Sequence, residues 1–317
     1  MRTRNTPRRP ETSKSLELLL PATSANLGPA FDAAALALNL FLKVSFHRAR
    51  EFSVEAKGRD RDVCGRAQNH LILTTYREVL EEANRPVQPM AVRITNEIPI
   101  GKGCGSSAAA RLAGIAMAVH GGKLGWGDKE IVGEAARREH HPDNAAACWW
   151  GGLAIARSSG EGATEAISVD PKGRWRFLLA IPEESLSTEK ARAVLPKLYS
   201  RADAVSNVQS SMLLLASLAE GRQDLLASAF EDRLHQPYRA RLCPLLPVLE
   251  KLSGNDGILG TVLSGAGPSV LVFLDRQASV RRAKAQVRAQ LTASGLTAEL
   301  IETTVTRRGA RRSWLKR

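Results

Sequence analysis

The sequence predicts an α+β protein, and three observations carry that expectation. Apolar or alternating runs of strand length are interspersed with longer stretches at helical spacing, and a glycine-rich turn joins one such strand to an alanine-rich helix. No internal repeat or low-complexity linker sorts the two kinds into separate blocks. At 317 residues the chain fits one large domain or two intimately joined ones, with a soft division near residue 155.

Residues 16–20 read as a short buried strand that breaks at Pro21 into a loop of small and polar residues, and 33–44 resume the apolar pattern. Residues 69–83 show helical spacing through Leu71, Ile72, Thr75, Val79 and Leu80, and 90–94 alternate as a strand ending near Pro99. A helix follows over 107–120, rich in alanine with Leu112, Ile115 and Met117, and the Gly121-Gly122 pair closes it. A second helix is expected over about 128–140, strands over 151–156 and 176–181, and helices over 203–220 and 222–235 joined at Gly221. The remainder, 258–305, reads strand, glycine turn, strand, helix, strand.

With 44% hydrophobic and 24% charged residues the composition is that of a soluble globular protein. No stretch reaches the roughly 18 apolar residues of a membrane span, so no membrane partner is expected. Glu17 interrupts the apolar run behind the basic opening, which argues against a signal peptide and leaves the cytoplasm as the default location. Cys64, Cys104, Cys148 and Cys243 lie far apart with no C-x-x-C pair, which argues against a zinc site and against a disulfide framework. The net charge of +13 sits at the ends: residues 1–15 carry +4 and residues 306–317 carry +6, leaving +3 for everything between. Both ends read as basic flexible tails, and nucleic acid is not expected as a partner.

The most informative segment is Pro99-Ile100-Gly101-Lys102-Gly103-Cys104-Gly105-Ser106-Ser107-Ala108-Ala109. Three alternating glycines let the backbone pass close to a ligand just before a helix begins, so its amides should point at an anion. A helix N-terminus contributes only about 0.3–1 kcal/mol per charge, too little for a triphosphate alone, and a magnesium ion is implied beside Ser106 and Ser107. The Walker A pattern and the protein-kinase signatures are absent. The alternative is a tight strand-to-helix turn followed by a serine cap.

Three stretches occur in order: Pro21-Ala22-Thr23-Ser24-Ala25-Asn26-Leu27-Gly28-Pro29-Ala30-Phe31-Asp32, the glycine loop, and Leu263-Ser264-Gly265-Ala266-Gly267-Pro268-Ser269. Together they resemble the signature motifs of the GHMP small-molecule kinases. The stretches 141–144 (HPDN), 186–192 (LSTEKAR) and 232–239 (DRLHQPYR) resemble the homoserine kinase branch of that family, and the likeness covers residues 16–305. It implies a two-lobed fold: an N-terminal α/β lobe like domain 2 of ribosomal protein S5 over 16–155, which carries the nucleotide loop, and a ferredoxin-like lobe over 156–305. Outside these lie the tails 1–15 and 306–317. The implied activity is transfer of the ATP γ-phosphoryl group to the hydroxyl of homoserine, with ATP as a substrate. A homodimer is common in such families.

The resemblance also implies roles. Arg192 and Arg239 align with carboxylate-binding arginines, suited by the bidentate guanidinium fork. Asp32 aligns with the position that receives the substrate ammonium, while Asn26, Thr188 and His141 fall among substrate-binding positions. Residues 99–109 align with the ATP loop, Ser107 and Glu139 with magnesium ligands, and Asn69 with an adenine-side asparagine. Residue types alone leave a helix cap as the alternative for Asp32 and Asn69, and a solvated helix face for the two arginines. His141 beside Asp143 could be a metal ligand in isolation, but a structural or substrate-side hydrogen bond is expected.

Several departures from the family pattern stand out. His140 replaces a glycine in the usual Glu-Gly-His-Pro-Asp-Asn, Ala30 replaces a glycine and Cys104 a leucine, and 145–147 (AAA) replaces Val-Ala-Pro. Mevalonate kinase has an aspartate where this chain has Asn144, and an amide cannot act as a general base. Asn144 and Arg192 are therefore expected to orient the hydroxyl in line, with the proton passing to phosphate itself. The rival readings are a GHMP kinase for another alcohol and a catalytically silent ligand sensor on the same scaffold.

Overall fold

A computed structural model of the chain describes residues 16–158 and 164–314. The expected tail over 1–15 lies outside the described residues. The first lobe is built on a six-stranded sheet from β1 (Leu16–Asn26), β2 (Ala30–Arg48), β3 (Ser53–Gly58), β4 (Met90–Asn96), β5 (Leu153–Ser158) and β6 (Thr164–Val169). The order is β3-β4-β2-β5-β6, with β1 also on β2; β3 and β4 are parallel and the other pairs antiparallel. The 19-residue β2 is the hub, meeting β1 along most of its length, β4 through its second half and β5 near its start. β1 does not stop at Pro21: its register shifts between Pro21 and Ala22, and a bulge is where a residue without an N–H can sit in a sheet.

The helices of this lobe are α1 (Arg61–Cys64), α2 (Leu71–Glu82), α3 (Ser106–Gly122), α4 (Asp128–Glu139) and α5 (Asp143–Trp150). Buried alanines 108, 109, 113, 116 and 118 let neighbours approach α3 closely. It ends at Gly122, so the Gly121-Gly122 pair forms its last two residues, and the left-handed turn that caps it is at Lys123 (φ 52°).

The second lobe has β7 (Arg176–Ile181), β8 (Ile258–Leu263), β9 (Val270–Leu274) and β10 (Glu299–Thr304) in the antiparallel order β10-β7-β9-β8. With helical segments between β7 and β8 and between β9 and β10, this is ferredoxin-like topology. The helices are α6 (Thr188–Ala193), α7 (Arg201–Glu220), α8 (Leu226–Ala229), α9 (Gln236–Arg239), α10 (Leu245–Leu249) and α11 (Val280–Ala293), followed by α12 (Ala310–Trp314). Alternation along β7 decides what the sheet buries: Leu178 and Ala180 pack with α10 and α11, whereas Phe177 and Leu179 join the core shared with the first lobe.

Three further expectations need correction. The division does not fall at 155, which lies inside β5; β5 pairs with β2 and β6 with β5, so the first sheet reaches Val169 and the second begins at Arg176. Residues 222–235 are not one helix but a 3-10 turn, the single-turn α8 and a bend. There the Asp232 carboxylate accepts from the N–H groups of Leu234, His235 and Gln236 and competes with the helical ladder. Residues 306–314 are not a free tail. Trp314 is buried 6.2 Å from Trp149, Arg311 pairs with Asp128 at 2.5 Å, and Arg307 pairs with Asp170. An indole inside a basic segment had apolar surface to bury, and α12 buries it against β1 and α5. Among the described residues, no helix is long and apolar enough to cross a membrane.

Candidate active site

The glycine loop between β4 and α3 has Gly101, Gly103 and Gly105 at φ 68°, 78° and 69°. Glycine is required for contact as well as for φ: a Cβ at Gly103 would sit 2.1 Å from the Ser264 carbonyl oxygen, and one at Gly105 1.9 Å from Thr23 Oγ1. The three separated stretches interlock here. The Thr23 N–H donates to the Cys104 carbonyl at 3.1 Å, Ser264 Oγ to the Gly103 carbonyl at 2.9 Å, and Asn26 Nδ2 to the Gly265 carbonyl at 2.8 Å.

A cleft between the lobes carries on its walls Gly101, Gly103–Ser107, Glu139, Asn26, Asp32, His141, Asn144, Thr188, Arg192 and Arg239. Gly101, Ser106 and Ser107 also line a neighbouring apolar pocket of about 420 Å³ with Asn69, Ile72, Ile94, Ile98 and Ile100. Pro99, Lys102, Ala108 and Ala109 contribute no side chain to either space; Ala108 and Ala109 are wholly buried, and Lys102 Nζ donates to the Glu183 carbonyl. Neither asparagine nor Asp32 is a helix cap. Asp32 lies in β2, and α2 starts from His70 without a side-chain cap. The serine-cap alternative also fails, since Gly105 precedes α3 and no side chain caps it.

At the charged end, Arg192 Nη2 meets Asp32 Oδ1 at 2.7 Å and Oδ2 at 2.9 Å. Burial raises the Asp32 carboxyl above its ordinary range, partly countered by Arg192. Oxygens of Asp32 and Asp143 and a ring nitrogen of His141 converge within 4.8 Å of one another, so the structure adds Asp32 to the pair read from the sequence. Burial opposes a charge on His141, but its 2.7 Å hydrogen bond to Asp143 and that carboxylate's charge outweigh this and raise its pKa. Arg239 is different in kind. Its side chain is 1% exposed, its Nε donates to the Ala191 carbonyl at 3.1 Å and its Nη1 to His235 Nδ1 at 3.1 Å, and no carboxylate among the described residues pairs with it. A buried guanidinium with only neutral partners is costly unless an anion arrives.

At the loop end, Ser107 Oγ donates to Glu139 Oε1 at 2.6 Å, and Arg111 Nε donates to the same oxygen at 2.6 Å. A hydroxyl and a carboxylate this close at the start of α3 are the oxygen donors a hard cation takes, so the pair fits magnesium. Despite the His140 substitution the backbone keeps a left-handed turn there, at φ 64°.

Comparison with known proteins accords with this geometry. Profiles of the GHMP kinases N terminal domain and GHMP kinases C terminal match residues 70–152 and 214–293. A homoserine kinase of Solibacter usitatus is 45% identical over 261 residues, covering 82% of this chain and 85% of the relative. The chain belongs to the homoserine kinase family of GHMP kinases. A homoserine kinase of Deinococcus radiodurans is 35% identical over 301 residues, 94% of this chain and 95% of its own. The crystal structure of a homoserine kinase from Cytophaga hutchinsonii superposes with a TM-score of 0.79 over 94% of this chain and 97% of that one, at 23% identity, and so speaks to the fold.

This GHMP kinase cleft also holds side chains to which sequence reading gave no part in binding substrate or in catalysis. Thr23 Oγ1 donates to Asn144 Oδ1 at 2.5 Å, and Asp143 Oδ1 accepts from both the Asn144 N–H at 2.6 Å and His141. Phe31 lies 5.2 Å from the Arg239 guanidinium and 5.5 Å from that of Arg192. Thr23, Phe31 and Asp143 sit inside the quoted motifs, which was the available signal; Arg111 had none, because one arginine on a helix reads as a solvated side chain.

Proposed function

We propose that this GHMP kinase transfers the γ-phosphoryl group of ATP to the side-chain hydroxyl of L-homoserine, giving ADP and O-phospho-L-homoserine for threonine biosynthesis. The observation that carries the reading is Arg239, a buried cation with no carboxylate paired to it among the described residues, in the same cleft as the glycine loop. In this reading the adenine enters the apolar pocket by Asn69, and the loop amides over 101–107 face the phosphates. The substrate zwitterion replaces both halves of the Asp32–Arg192 pair: its ammonium takes the guanidinium's place at Asp32, and its carboxylate takes the Asp32 carboxylate's place at Arg192 while also meeting Arg239. Each member of the pair exchanges one partner for another of the same charge, so neither is left uncompensated in the cleft.

Asn144, fixed by Thr23 and Asp143, and Arg192 orient the hydroxyl in line with the γ-phosphorus. The hydroxyl oxygen bonds to phosphorus, the bond from phosphorus to the ADP oxygen breaks with its electron pair leaving on ADP, and the hydroxyl proton passes to a phosphoryl oxygen. Ser107 and Glu139 would hold magnesium, which when bound neutralises phosphate charge. The cytoplasmic location we propose draws on four buried free cysteines. The homodimer we propose draws on α7, whose exposed Val205, Val208 and Met212 lie on a stretch with no charged residue between Asp203 and Glu220. An ADP-release assay offering homoserine, mevalonate and shikimate tests the substrate: preferential turnover of homoserine is expected, and preference for either other alcohol overturns the reading.

A further inference from the structure

We propose that His235 is a positioning residue for substrate recognition: a neutral imidazole, held in one tautomer, that fixes the Arg239 fork without spending its charge. The inference rests on the reading of Arg239 as a carboxylate anchor. His235 is wholly buried, and its Nε2 lies 2.7 Å from the Gly28 carbonyl oxygen. A carbonyl only accepts, so the ring proton is on Nε2, and Asp232 Oδ2, 3.3 Å from the same nitrogen, favours that tautomer as well. Nδ1 therefore carries a lone pair, which receives a hydrogen from Arg239 Nη1 at 3.1 Å. Burial disfavours a charge on this ring.

The consequence is chemical. A carboxylate in place of the imidazole would orient Arg239 equally well but would neutralise it, leaving little attraction for a substrate anion. With His235 and the Ala191 carbonyl taking one hydrogen each, three of the five guanidinium hydrogens stay available to a ligand. Phe31 completes the clamp: its ring stacks on His235 at 5.1 Å and 25°, with the Arg239 and Arg192 guanidinium groups 5.2 and 5.5 Å from its centre. Sequence position explains the arrangement, since His235 and Arg239 lie four residues apart around the start of α9, and Phe31 directly precedes Asp32.

The test compares homoserine with 3-aminopropan-1-ol, which is homoserine without its carboxylate, in wild type, His235→Asn and His235→Gln. Asparagine places an oxygen near the position of Nδ1 and keeps the acceptor for Arg239; glutamine places its amide near Nε2 and abandons it. His235→Gln should lose about tenfold or more in kcat/KM for homoserine, mainly in KM, with a much smaller loss for the amino alcohol and little change in KM for ATP. His235→Asn should retain most of the preference for homoserine. Equal losses with both substrates, or no loss in His235→Gln, overturn the inference while leaving Arg239 as the anchor. If wild type does not prefer homoserine, the anchor reading itself fails and this one with it. Should His235→Gln not fold, Phe31→Leu carries the test, with the same selective loss expected and an even loss across both substrates refuting it.

Discussion

Replacing Arg239 with methionine removes a buried cation while nearly preserving side-chain volume. Two opposing effects on stability can be worked from its surroundings. The Ala191 carbonyl and His235 Nδ1 lose their hydrogen-bond donors, at about 1–3 kcal/mol each. Against this, an unpaired guanidinium no longer has to be held out of water, a relief of several kcal/mol. The net change in unfolding free energy should lie within about 2 kcal/mol of zero. Catalysis has no such compensation. Two charge-assisted hydrogen bonds to a carboxylate contribute about 3–6 kcal/mol, so kcat/KM for homoserine should fall about 10²–10⁴-fold, with KM for ATP little changed. Arg239→Lys should fall between, since it keeps the charge and loses the fork. Coupled ADP-release kinetics and denaturant melts read both quantities. A kcat/KM within about tenfold of wild type, or an ATP KM that rises in step, would refute the assignment.

Glu139→Gln should raise the magnesium concentration for half-maximal rate by about tenfold or more, since losing even a supporting partner of a metal ligand costs about that much; manganese binding by electron paramagnetic resonance should weaken in parallel, and an unchanged metal dependence would remove Glu139 from the site. His235 titrates at about 4 in the fold, held down by burial, against 6.5 ordinarily. Protons therefore favour the unfolded chain, and a stabilisation fully present above about pH 6.5 is lost as pH falls toward 4, up to about 3 kcal/mol. Denaturant melts of wild type and His235→Asn across that window should diverge in slope; parallel lines would contradict a buried neutral ring. Trp314→Ala should cost about 3–5 kcal/mol in the same melts, whereas a change under about 1 kcal/mol would restore the view of a dispensable tail.

What the sequence made legible were features written in local chemistry. The glycine loop announces itself because only glycine tolerates both the positive φ and the backbone crowding found at Gly103 and Gly105. Arg192 and Arg239 were legible only through motif context, since nothing in their spacing says that one is partly exposed beside Asp32 and the other sealed against a carbonyl and an imidazole. The misplaced boundary at 155 has a similar origin: which sheet a strand joins is a matter of pairing, and β6, with one buried residue in six, carries too little apolar signal to be read as the strand that extends the first sheet. The edge strand β3 does alternate, with Val54 and Ala56 packed against the core between exposed Ser53, Glu55 and Lys57, but two apolar residues make too short a pattern to stand out. Residues 222–235 read as helix because propensity there is real, but a capping carboxylate from Asp232 overrides it. Trp314 was the one aromatic residue among six basic ones in its segment, and its partner, Trp149, is distant in sequence.

The most direct measurement is a crystal structure of the protein with homoserine and a non-hydrolysable ATP analogue. The substrate carboxylate should lie about 2.8 Å from nitrogens of both Arg192 and Arg239, the ammonium should lie against Asp32 with the original ion pair opened, and the hydroxyl should face the γ-phosphorus above the Gly101 to Ser107 turn. An intact Asp32–Arg192 pair, with homoserine bound outside the cleft or with its carboxylate turned away from Arg239, would contradict the account.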